Sequence, residues 1–473
     1  FFVNLVMESD SVLYPSSSSA TTKKIKIIAL VEGIVIAFLI LLVAIGFGLY
    51  FASSGSDECS SNSNTCPSVQ PCPSVTSSNQ DYASYFIQIS DIHTNTNYLN
   101  PDLPLGEYGE DGGCLLLQKV LENINNLDET PDFFIITGDF PSHDLPSEQV
   151  QYETIANVSR TVAQYYSGSV YPTLGNNDVY PDYYFPLNTS SEWMDNLSAL
   201  WSTELGWLDD TQLETFNPLG YYAVDELWTG GPKLLALNTL LYSSKLKTSP
   251  GLFPTNVTKL PDDPNGQFSW IQSQLDDSRS RSQKVILAYH IPSGINSYDG
   301  SQTWHEKFTQ TFNDLCYENT DIILFHMAAH YHTDEYRIIP GPNAVLLNPS
   351  ISPVHTNNPG FRQFFIDDNG DIRNYIQYFT DLPKSNENEK NDKPVTFIQE
   401  YNFQEAYDVD NLNGTTLQQA VNQIDASSEY YMKYLTHQYV YYPWHRGNIL
   451  CGVSYQMSED YTNCVDEISD DEN

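Results

Sequence analysis

The sequence has few positive charges, because only 21 of its 473 residues are Lys or Arg whereas 60 are Asp or Glu. The formal net charge at pH 7 is therefore −39. Proteins that bind nucleic acids hold phosphates with clustered cations, so this balance argues against a nucleic-acid partner. Charged residues amount to only 17% of the chain, while 40% are hydrophobic and 13% aromatic. Such a composition is typical of a packed core and excludes a disordered acidic chain.

Long hydrophobic segments are also scarce, and one dominates. The run from Gly33 to Ser56 lacks any charged residue, and at about 1.5 Å per residue it can cross a bilayer of about 30 Å. Lysines precede it and acidic residues follow it, which predicts a cytosolic N-terminus. We therefore expect a cytosolic tail over residues 1–26 and a single-pass type II anchor over 27–52, with an extracellular, lysosomal or vacuolar ectodomain. The alternative is a cleaved signal peptide, although the run is longer than usual for one.

Seven cysteines follow this run, which permits disulfides in an oxidising compartment. The closest C-terminal pair, Cys451 and Cys464, is the expected bridge, and an odd total leaves one thiol free or paired with another chain. Residues 53–80 are rich in Ser, Pro and Cys and predict a flexible stalk whose cysteines can link chains, so the oligomeric state stays open. Asn-X-Ser/Thr sequons predict glycosylation at Asn157, Asn188, Asn196, Asn256 and Asn413.

The ectodomain contains short apolar runs that end in polar loops. Residues 85–90, 132–137, 284–289 and 321–325 have the length and composition of strands buried on both faces. Leu116, Val120, Ile124 and Leu127 recur at helical spacing between the first two runs. This alternation predicts an α/β domain over residues 81–385, followed by a helical extension and acidic tail over 386–473. Two β-rich segments, 361–366 and 372–379, predict a hairpin.

Polar residues with metal-binding side chains stand at the ends of these strands, where ligand sites of α/β sheets lie. They are Asp91, His93, Asp139, Asn176, His290, His330 and His332. Imidazole and carboxylate donors without cysteine suit zinc, iron or manganese. One bridging carboxylate with several imidazoles is what a two-metal hydrolytic site needs, since two cations can clamp the attacking and leaving oxygens at phosphorus.

The order of the motifs is Asp-X-His, Gly-Asp, Gly-Asn-Asn-Asp, a strand-end His and His-X-His, beginning at residues 91, 138, 175, 290 and 330. Over roughly residues 84–380 this order resembles the calcineurin-like metallophosphoesterases. The local sequence resembles that of the acid sphingomyelinase-like phosphodiesterases at residues 137–144, 237–240, 290–294, 330–335 and 358–362. The resemblance implies a four-layer β-sandwich flanked by helices, two zinc ions with other divalent metals possible, and hydrolysis of a phosphodiester or phosphate by metal-bound hydroxide.

The resemblance also implies a role for each position. One metal would be bound by Asp91, His93 and His332, the other by Asn176, His290 and His330, and Asp139 would bridge them. His143 matches a histidine that reaches the leaving group or phosphate, and its purely structural alternative is a hydrogen bond with Asp144. Asn177 stands where sphingomyelinases carry a second catalytic histidine, and we expect it to contact substrate.

Three functions follow from these observations. The first is a phosphodiesterase acting on a sphingomyelin-like, phosphocholine-bearing or nucleotide substrate. The second is an endopolyphosphatase, because residues 175–181 and the anchor resemble the vacuolar enzymes, although a net charge of −39 repels a long polyanion. The third is an inactive membrane-anchored surface or assembly protein, suggested by Asn177 and the anchor.

Overall fold

The computed structural model describes residues 82–471 apart from 129, 250–252, 342, 370 and 439–445. The predicted tail, anchor and stalk, with Cys59, Cys66 and Cys72, lie outside the described residues. Of the helices in the described part, none combines the length and the apolarity that crossing a bilayer requires.

Twelve strands form two sheets in the described chain. The first sheet contains β1 (Tyr82–Ile89), β2 (Phe133–Ile136), β3 (Ser169–Pro172), β10 (Gly360–Asp367), β11 (Ile372–Phe379) and β12 (Ile398–Asn402). The second contains β4 (Tyr222–Val224), β5 (Lys233–Ala236), β6 (Val285–Ala288), β7 (Ile323–Ala328), β8 (Glu335–Ile339) and β9 (Asn343–Leu347). The four apolar runs predicted as buried strands are β1, β2, β6 and β7.

Both sheets are mixed. The strand order is β12-β11-β10-β1-β2-β3 in the first and β4-β5-β6-β7-β9-β8 in the second. β1, β2 and β3 run parallel, as do β5, β6, β7 and β9, whereas β10, β11 and β12 pair antiparallel. The sheets pack face to face, and Phe325 of the second stacks on Phe364 of the first with ring centroids 6.0 Å apart. Parallel strands at the centre of each sheet bring their carboxyl ends to one edge, where ligands bind.

Twelve α-helices flank the sheets in the part of the chain that the structure describes. They are α1 (Cys114–Asn125), α2 (Glu148–Tyr165), α3 (Glu192–Ala199), α4 (Asp210–Leu219), α5 (Gln267–Ser280), α6 (Glu306–Glu318), α7 (Leu382–Lys390), α8 (Phe403–Tyr407), α9 (Gly414–Ala426), α10 (Ser428–Gln438), α11 (Arg446–Ser454) and α12 (Ser458–Asp471). α1 coincides with the predicted helix and buries Leu116, Val120 and Ile124. The architecture is thus the α/β fold expected from the sequence, with two mixed sheets and flanking helices.

The C-terminal region is tied closely to the sheets. The domain boundary expected after residue 385 falls inside α7, and β12 pairs with β11 at the edge of the first sheet. The predicted hairpin is the antiparallel pair β10 and β11. A disulfide joins Cys451 of α11 to Cys464 of α12, the pair expected from the sequence. Because β12 completes the first sheet, the described helices of the C-terminal extension belong to the same domain as the two sheets.

Candidate dinuclear metal centre

The seven predicted metal ligands lie in loops that leave the carboxyl ends of parallel strands. The loop after β1 carries Asp91 and His93, and the loop after β2 carries Asp139. Asn176 begins a short 3₁₀ turn after β3. The remaining ligands follow the second sheet, with His290 after β6 and His330 and His332 after β7. Sequence positions spread over about 240 residues therefore converge on one edge of the two sheets.

Many of these residues have an unusual backbone. Five of them have φ between 40° and 80°, namely Asp91, His93, Asp139, His330 and His332. Left-handed backbone is costly for residues other than glycine and persists where the surrounding structure enforces it, which is common at functional sites. Here the loops brace one another, because the backbone N–H groups of Asp91 and Ile92 donate to the carbonyls of Gly138 and Asp139 at 3.1 and 2.8 Å.

Two groups of donor atoms face each other in the site. In the first, Asp91 Oδ1 lies 3.5 Å from His332 Nε2 and 3.9 Å from His93 Nε2. In the second, His290 Nε2 lies 3.2 Å from Asn176 Oδ1 and 3.3 Å from His330 Nδ1. The donor atoms of Asp91, His93 and His332 all lie within 4.8 Å of one another, as do those of Asp139, His290 and His330, and each set is compact enough to hold one metal ion.

Asp139 connects the two groups. Its Oδ2 atom is 3.5 Å from His93 Nε2 in the first group and 3.1 Å from His290 Nε2 in the second. A single carboxylate oxygen within reach of both groups has the placement of a bridging ligand.

The hydrogen bonds of the histidines leave lone pairs pointed into the centre. His93 Nδ1 is 3.0 Å from the Pro141 carbonyl and His290 Nδ1 is 2.7 Å from the Thr137 carbonyl, so each ring donates from Nδ1. In the neutral form of each ring, Nε2 is then an unprotonated acceptor, which is how metal-binding imidazoles are usually oriented. The buried Asp91 Oδ1 atom has no hydrogen-bond partner among the described residues. Buried hydrogen-bond acceptors that converge without any hydrogen-bond donor fit a cation. The number of possible ligand atoms fits two metal ions.

Burial and the neighbouring charges shift the pKa values of the proposed ligands in different directions. Burial raises the pKa of the Asp91 carboxyl to about 7, with opposing contributions from His290, which lowers it, and Asp139, which raises it. Burial also lowers the pKa of His330 and of His332 well below the ordinary 6.5, which keeps both imidazoles neutral. Burial alone would lower the pKa of His290, but the charges of Asp139 and Asp91 outweigh burial and raise it to about 9. The neutral His330 and His332 can bind a divalent metal ion directly, whereas a metal ion that binds His290 displaces a proton.

The Gly-Asn-Asn-Asp motif supports Asp139. Asn177 donates to the Asp139 carboxylate from its backbone N–H at 2.8 Å and from its side-chain amide at 2.9 Å. The Asp178 carboxylate accepts the backbone N–H groups of Asp139, Phe140 and Gly175 at 2.7 to 2.8 Å. Gly175 is required by space, since a Cβ atom there would lie 2.1 Å from Asp139 Oδ1. The structure thus places Asn177, expected at the substrate, against the proposed bridging carboxylate.

His143 lies beside the centre, and its carboxylate partner differs from the alternative considered in the sequence. The ring stacks on His93 with centroids 4.2 Å apart. Its Nδ1 is 3.0 Å from Asp111, whereas Asp144 is exposed. The alternative of a hydrogen bond between His143 and Asp144 is not observed, because the chain turns after His143, where Asp144 has a left-handed backbone, φ 54°. Asp111, 32 residues earlier in the chain, also accepts the His143 backbone N–H at 2.7 Å.

The Asp111 contact fixes the state of His143. Burial alone would lower the pKa of His143, but the hydrogen bond and negative charge of Asp111 outweigh burial and raise this pKa to about 8. Because Nδ1 is held by Asp111, a proton on Nε2 is available to a ligand. Asp111 also accepts the Ser352 hydroxyl at 3.0 Å, which orients the carboxylate.

A cavity of about 590 Å³ opens over the centre. Asp139, His143, Asn176, His330 and His332 form its inner wall. The other walls include residues that the sequence analysis did not single out, among them Asp182, Tyr183, Lys245, Tyr298, Tyr331 and His355. These residues come from loops without apolar periodicity or metal-ligand spacing. The only available signal was position, because several lie within a few residues of a predicted ligand.

The remaining predicted sites are distributed over the surface. The sequon residues Asn157, Asn188, Asn196 and Asn256 are exposed, whereas Asn413 is half-buried and caps α9 through its side chain. Of the described cysteines outside the disulfide, Cys114 is exposed and Cys316 is buried. Glycosylation stays a prediction.

Comparison with known proteins gives a consistent family. The model of the calcineurin-like phosphoesterase family matches residues 84–334. The chain is 32% identical over 319 residues to sphingomyelinase phosphodiesterase D of Dictyostelium discoideum, covering 65% of this chain and 68% of that protein. It is 26% identical over 380 residues to the human cyclic GMP-AMP phosphodiesterase SMPDL3A, covering 75% of this chain and 80% of that protein.

Among solved structures, a dimetal phosphatase from Danio rerio aligns with a TM-score of 0.43 and 12% identity, covering 67% of this chain and 99% of that one. The family model spans more than half of the chain, and the matched region contains Asp91, Asp139 and the His-X-His pair. The chain therefore belongs to the calcineurin-like phosphoesterase family and is a phosphoric ester hydrolase with a site for a dinuclear metal.

Proposed function

We propose that the protein is a zinc-dependent phosphodiesterase. Asp91, His93 and His332 would hold one ion, Asn176, His290 and His330 the other, and Asp139 would bridge the two. The observation that carries this proposal is that the Nε2 atoms of His93 and His290 converge on Asp139. The buried Asp91 oxygen that lacks a hydrogen-bond partner lies beside the Nε2 atoms of His93 and His332. Oxygen and imidazole donors without thiolate suit zinc, as they suit manganese and iron. Two bound cations would supply positive charge to the phosphoryl oxygens and acidify a water molecule.

Side chains of the protein would orient the bridging carboxylate and protonate the departing oxygen of the ester. His143 lines the cavity next to the centre, and Asp111 holds its Nδ1, so Nε2 is the atom that would give a proton to the departing oxygen. Proton donation to a leaving group by a positioned histidine typically contributes 10²- to 10⁴-fold to the rate. Asn177 and Asp178 would act through Asp139 by fixing its orientation rather than by touching the substrate.

Relatives suggest the kind of ester. The matched proteins named above are a sphingomyelinase phosphodiesterase and a cyclic GMP-AMP phosphodiesterase, so a phosphodiester with a choline-bearing or nucleotide group is the first candidate. Polyphosphate is the second candidate, favoured by the Gly-Asn-Asn-Asp motif at residues 175–178. We also propose, from the sequence alone, that residues 27–52 anchor the enzyme with its catalytic domain outside the cell or in a lysosomal or vacuolar lumen.

The proposal is tested by metal content and hydrolysis together. Purified protein should contain about two zinc ions per chain by mass spectrometry and should hydrolyse bis-p-nitrophenyl phosphate. His330→Ala should lose metal and activity together. His305→Ala is the matched control, because His305 lies outside the cavity and caps α6 without a side-chain hydrogen bond. Protein that binds no transition metal, or metal-loaded protein that cleaves no phosphoric ester, would overturn the proposal.

Substrate class is resolved by a panel. Sphingomyelin vesicles, cyclic GMP-AMP, ATP and long-chain polyphosphate would be compared at equal enzyme concentration, with release of phosphocholine, nucleotide or phosphate measured. Cleavage of polyphosphate with all diesters inert would replace the first candidate by the second. Inertness towards the whole panel and towards bis-p-nitrophenyl phosphate would favour a role in surface assembly.

A further inference from the structure

The wall of the cavity that faces the metal centre contains an unpaired cation. Among the described residues that line the cavity, Lys245 is the only Lys or Arg. Its Nζ lies 5.3 Å from the centre of the Tyr183 ring, and it forms no salt bridge with a described residue. In a chain with a net charge of −39, a lysine at the catalytic cavity that pairs with no described carboxylate is a candidate binding group for an anion.

The backbone around Lys245 is held in place. Ser244 N–H donates to the Thr303 carbonyl at 2.9 Å, and Lys247 N–H donates to the Tyr183 carbonyl at 2.9 Å. Tyr183 is itself buried and meets the proposed ligand His330 edge to face, with ring centroids 6.4 Å apart. One aromatic ring therefore contacts both Lys245 and the proposed metal ligand His330.

The aromatic residues of the cavity are poorly placed to bind a quaternary ammonium. Such a group binds to the faces of aromatic rings. Lys245 already occupies the Tyr183 ring, and the buried Arg337 guanidinium lies 5.1 Å from the Tyr331 ring centre. A choline group at either ring would meet a cation of the protein. Two of the three tyrosines that line the cavity thus disfavour a choline-bearing substrate.

The carboxylates that line the cavity outside the metal centre are already engaged. Glu335 pairs with Arg337 at 3.0 Å and accepts the Ser297 and Thr333 hydroxyls at 2.9 Å. Asp182 accepts the Asn176 amide at 3.2 Å. The amide is neutral, so Asp182 keeps its charge, whereas Arg337 neutralises Glu335. Among the described residues that line the cavity, Lys245 is the one Lys or Arg left to meet an anionic group of a substrate.

We propose that Lys245 binds a phosphate group other than the one that is cleaved, so that the site selects substrates with more than one phosphate over choline esters. The shared chemistry is a polyphosphate chain, whether it belongs to a nucleotide or to inorganic polyphosphate. The inference rests on the proposed function, because it assumes that the scissile phosphate lies at the metal centre. Lys245 is a specificity-determining residue in this scheme, and it takes no part in bond cleavage.

The test compares Lys245→Ala and Lys245→Arg with the wild type in metal-loaded full-length protein. The inhibition constants of inorganic tripolyphosphate and of the methylene-bridged analogue of ATP are measured against hydrolysis of bis-p-nitrophenyl phosphate, which has a single phosphate. Lys245→Ala should weaken both inhibitors about five- to tenfold, as expected for a charge-assisted hydrogen bond partly exposed to solvent. Lys245→Arg should restore most of the affinity, and KM for bis-p-nitrophenyl phosphate should change less than twofold.

Lys259→Ala is the matched control, because Lys259 is also exposed but does not line the cavity. Weakening of one inhibitor alone identifies nucleotide or inorganic chain as the source of the phosphate and supports the proposal. Unchanged affinity for both inhibitors, or an equal loss for bis-p-nitrophenyl phosphate, overturns it. p-Nitrophenyl phosphocholine should be cleaved no worse by Lys245→Ala, and a loss of this activity also contradicts the proposal.

Failure of the underlying function would be visible separately. If wild-type protein hydrolyses no ester, the proposed activity is wrong, and calorimetric titration with the methylene-bridged ATP analogue still decides the role of Lys245. Tighter binding to wild type than to Lys245→Ala would then support a phosphate-binding site, and equal binding would reject it.

Discussion

Asp178 provides a sharp test of how the metal centre is supported. Its carboxylate is buried and accepts three backbone N–H groups, two at Oδ2 from Asp139 and Gly175 and one at Oδ1 from Phe140. In Asp178→Asn the shape is kept, but one oxygen becomes an amide that donates. At least one backbone N–H then loses its acceptor, at a cost of about 1–3 kcal/mol.

Two of the three hydrogen bonds of Asp178 hold the backbone of the loop that carries Asp139, so this loop is the part of the site that the substitution loosens. Substitution of groups that orient metal ligands typically costs 10- to 100-fold in metal affinity. We expect Asp178→Asn to weaken zinc binding by this factor and to lower the apparent stability of the metal-free protein by about 1–3 kcal/mol. Because the side chain does not line the cavity, KM of the fully metal-loaded variant should stay near that of the wild type.

Zinc affinity would be measured by competition with a chromophoric chelator, and stability by urea denaturation of the metal-free protein. Asp144→Asn is the control, since Asp144 is an exposed carboxylate in the loop that follows Asp139. If Asp178→Asn binds zinc as tightly as the control, then its three hydrogen bonds do not hold the bridging carboxylate, and the explanation of the motif is refuted.

Three further changes test other parts of the molecule. His143→Ala should lower kcat about 100-fold with metal content unchanged, and Asp111→Asn should do so less severely; parallel loss of metal in either variant would make the pair structural. Burial lowers the pKa of His326 to about 3, so unfolding below the ordinary histidine value of 6.5 takes up a proton. Stability should therefore fall by about 2 kcal/mol between pH 7 and pH 5 from this residue, and urea denaturation of His326→Gln should show a pH dependence reduced by that amount; an unchanged pH dependence would contradict burial of a neutral ring. Cys451→Ser should cost about 3 kcal/mol, because the bridge to Cys464 closes a loop with a separation of 13 residues; equal urea midpoints for the variant and the wild type would contradict this.

Much of the metal centre could be predicted because its ligands follow buried strands. A short apolar run that ends in Asp or His locates both the strand and the ligand, as β1 does for Asp91 and His93. Parallel pairing then brings such ends to one edge without any further information. The fold class could be predicted for the same reason.

The partners of these residues could not be predicted. Asp111 follows no strand and precedes two glycines, so nothing in the sequence near it indicates that it meets His143. Tertiary folding brings the two together, and the sequence offers only the nearest carboxylate, Asp144, as an alternative partner of His143. The sequence predicts that Asn177 contacts the substrate, whereas its amide contacts Asp139, and only the path of the turn after β3 determines this contact.

The net negative charge of the chain repels phosphates, whereas the cavity is proposed to bind them. The two statements are compatible because the repulsion is screened with distance. A surface that carries a net charge of −39 repels phosphate-rich molecules, but this field is screened over about 8 Å at physiological ionic strength. Inside the cavity the neighbouring charges act at shorter range. The carboxylates at the centre would be matched by metal ions, Glu335 is matched by Arg337, and Asp182 keeps its charge because it accepts only the neutral Asn176 amide. Lys245 is therefore not cancelled by the acidic surface, and the local charge of the cavity, rather than the total charge of the protein, sets which phosphate ester binds.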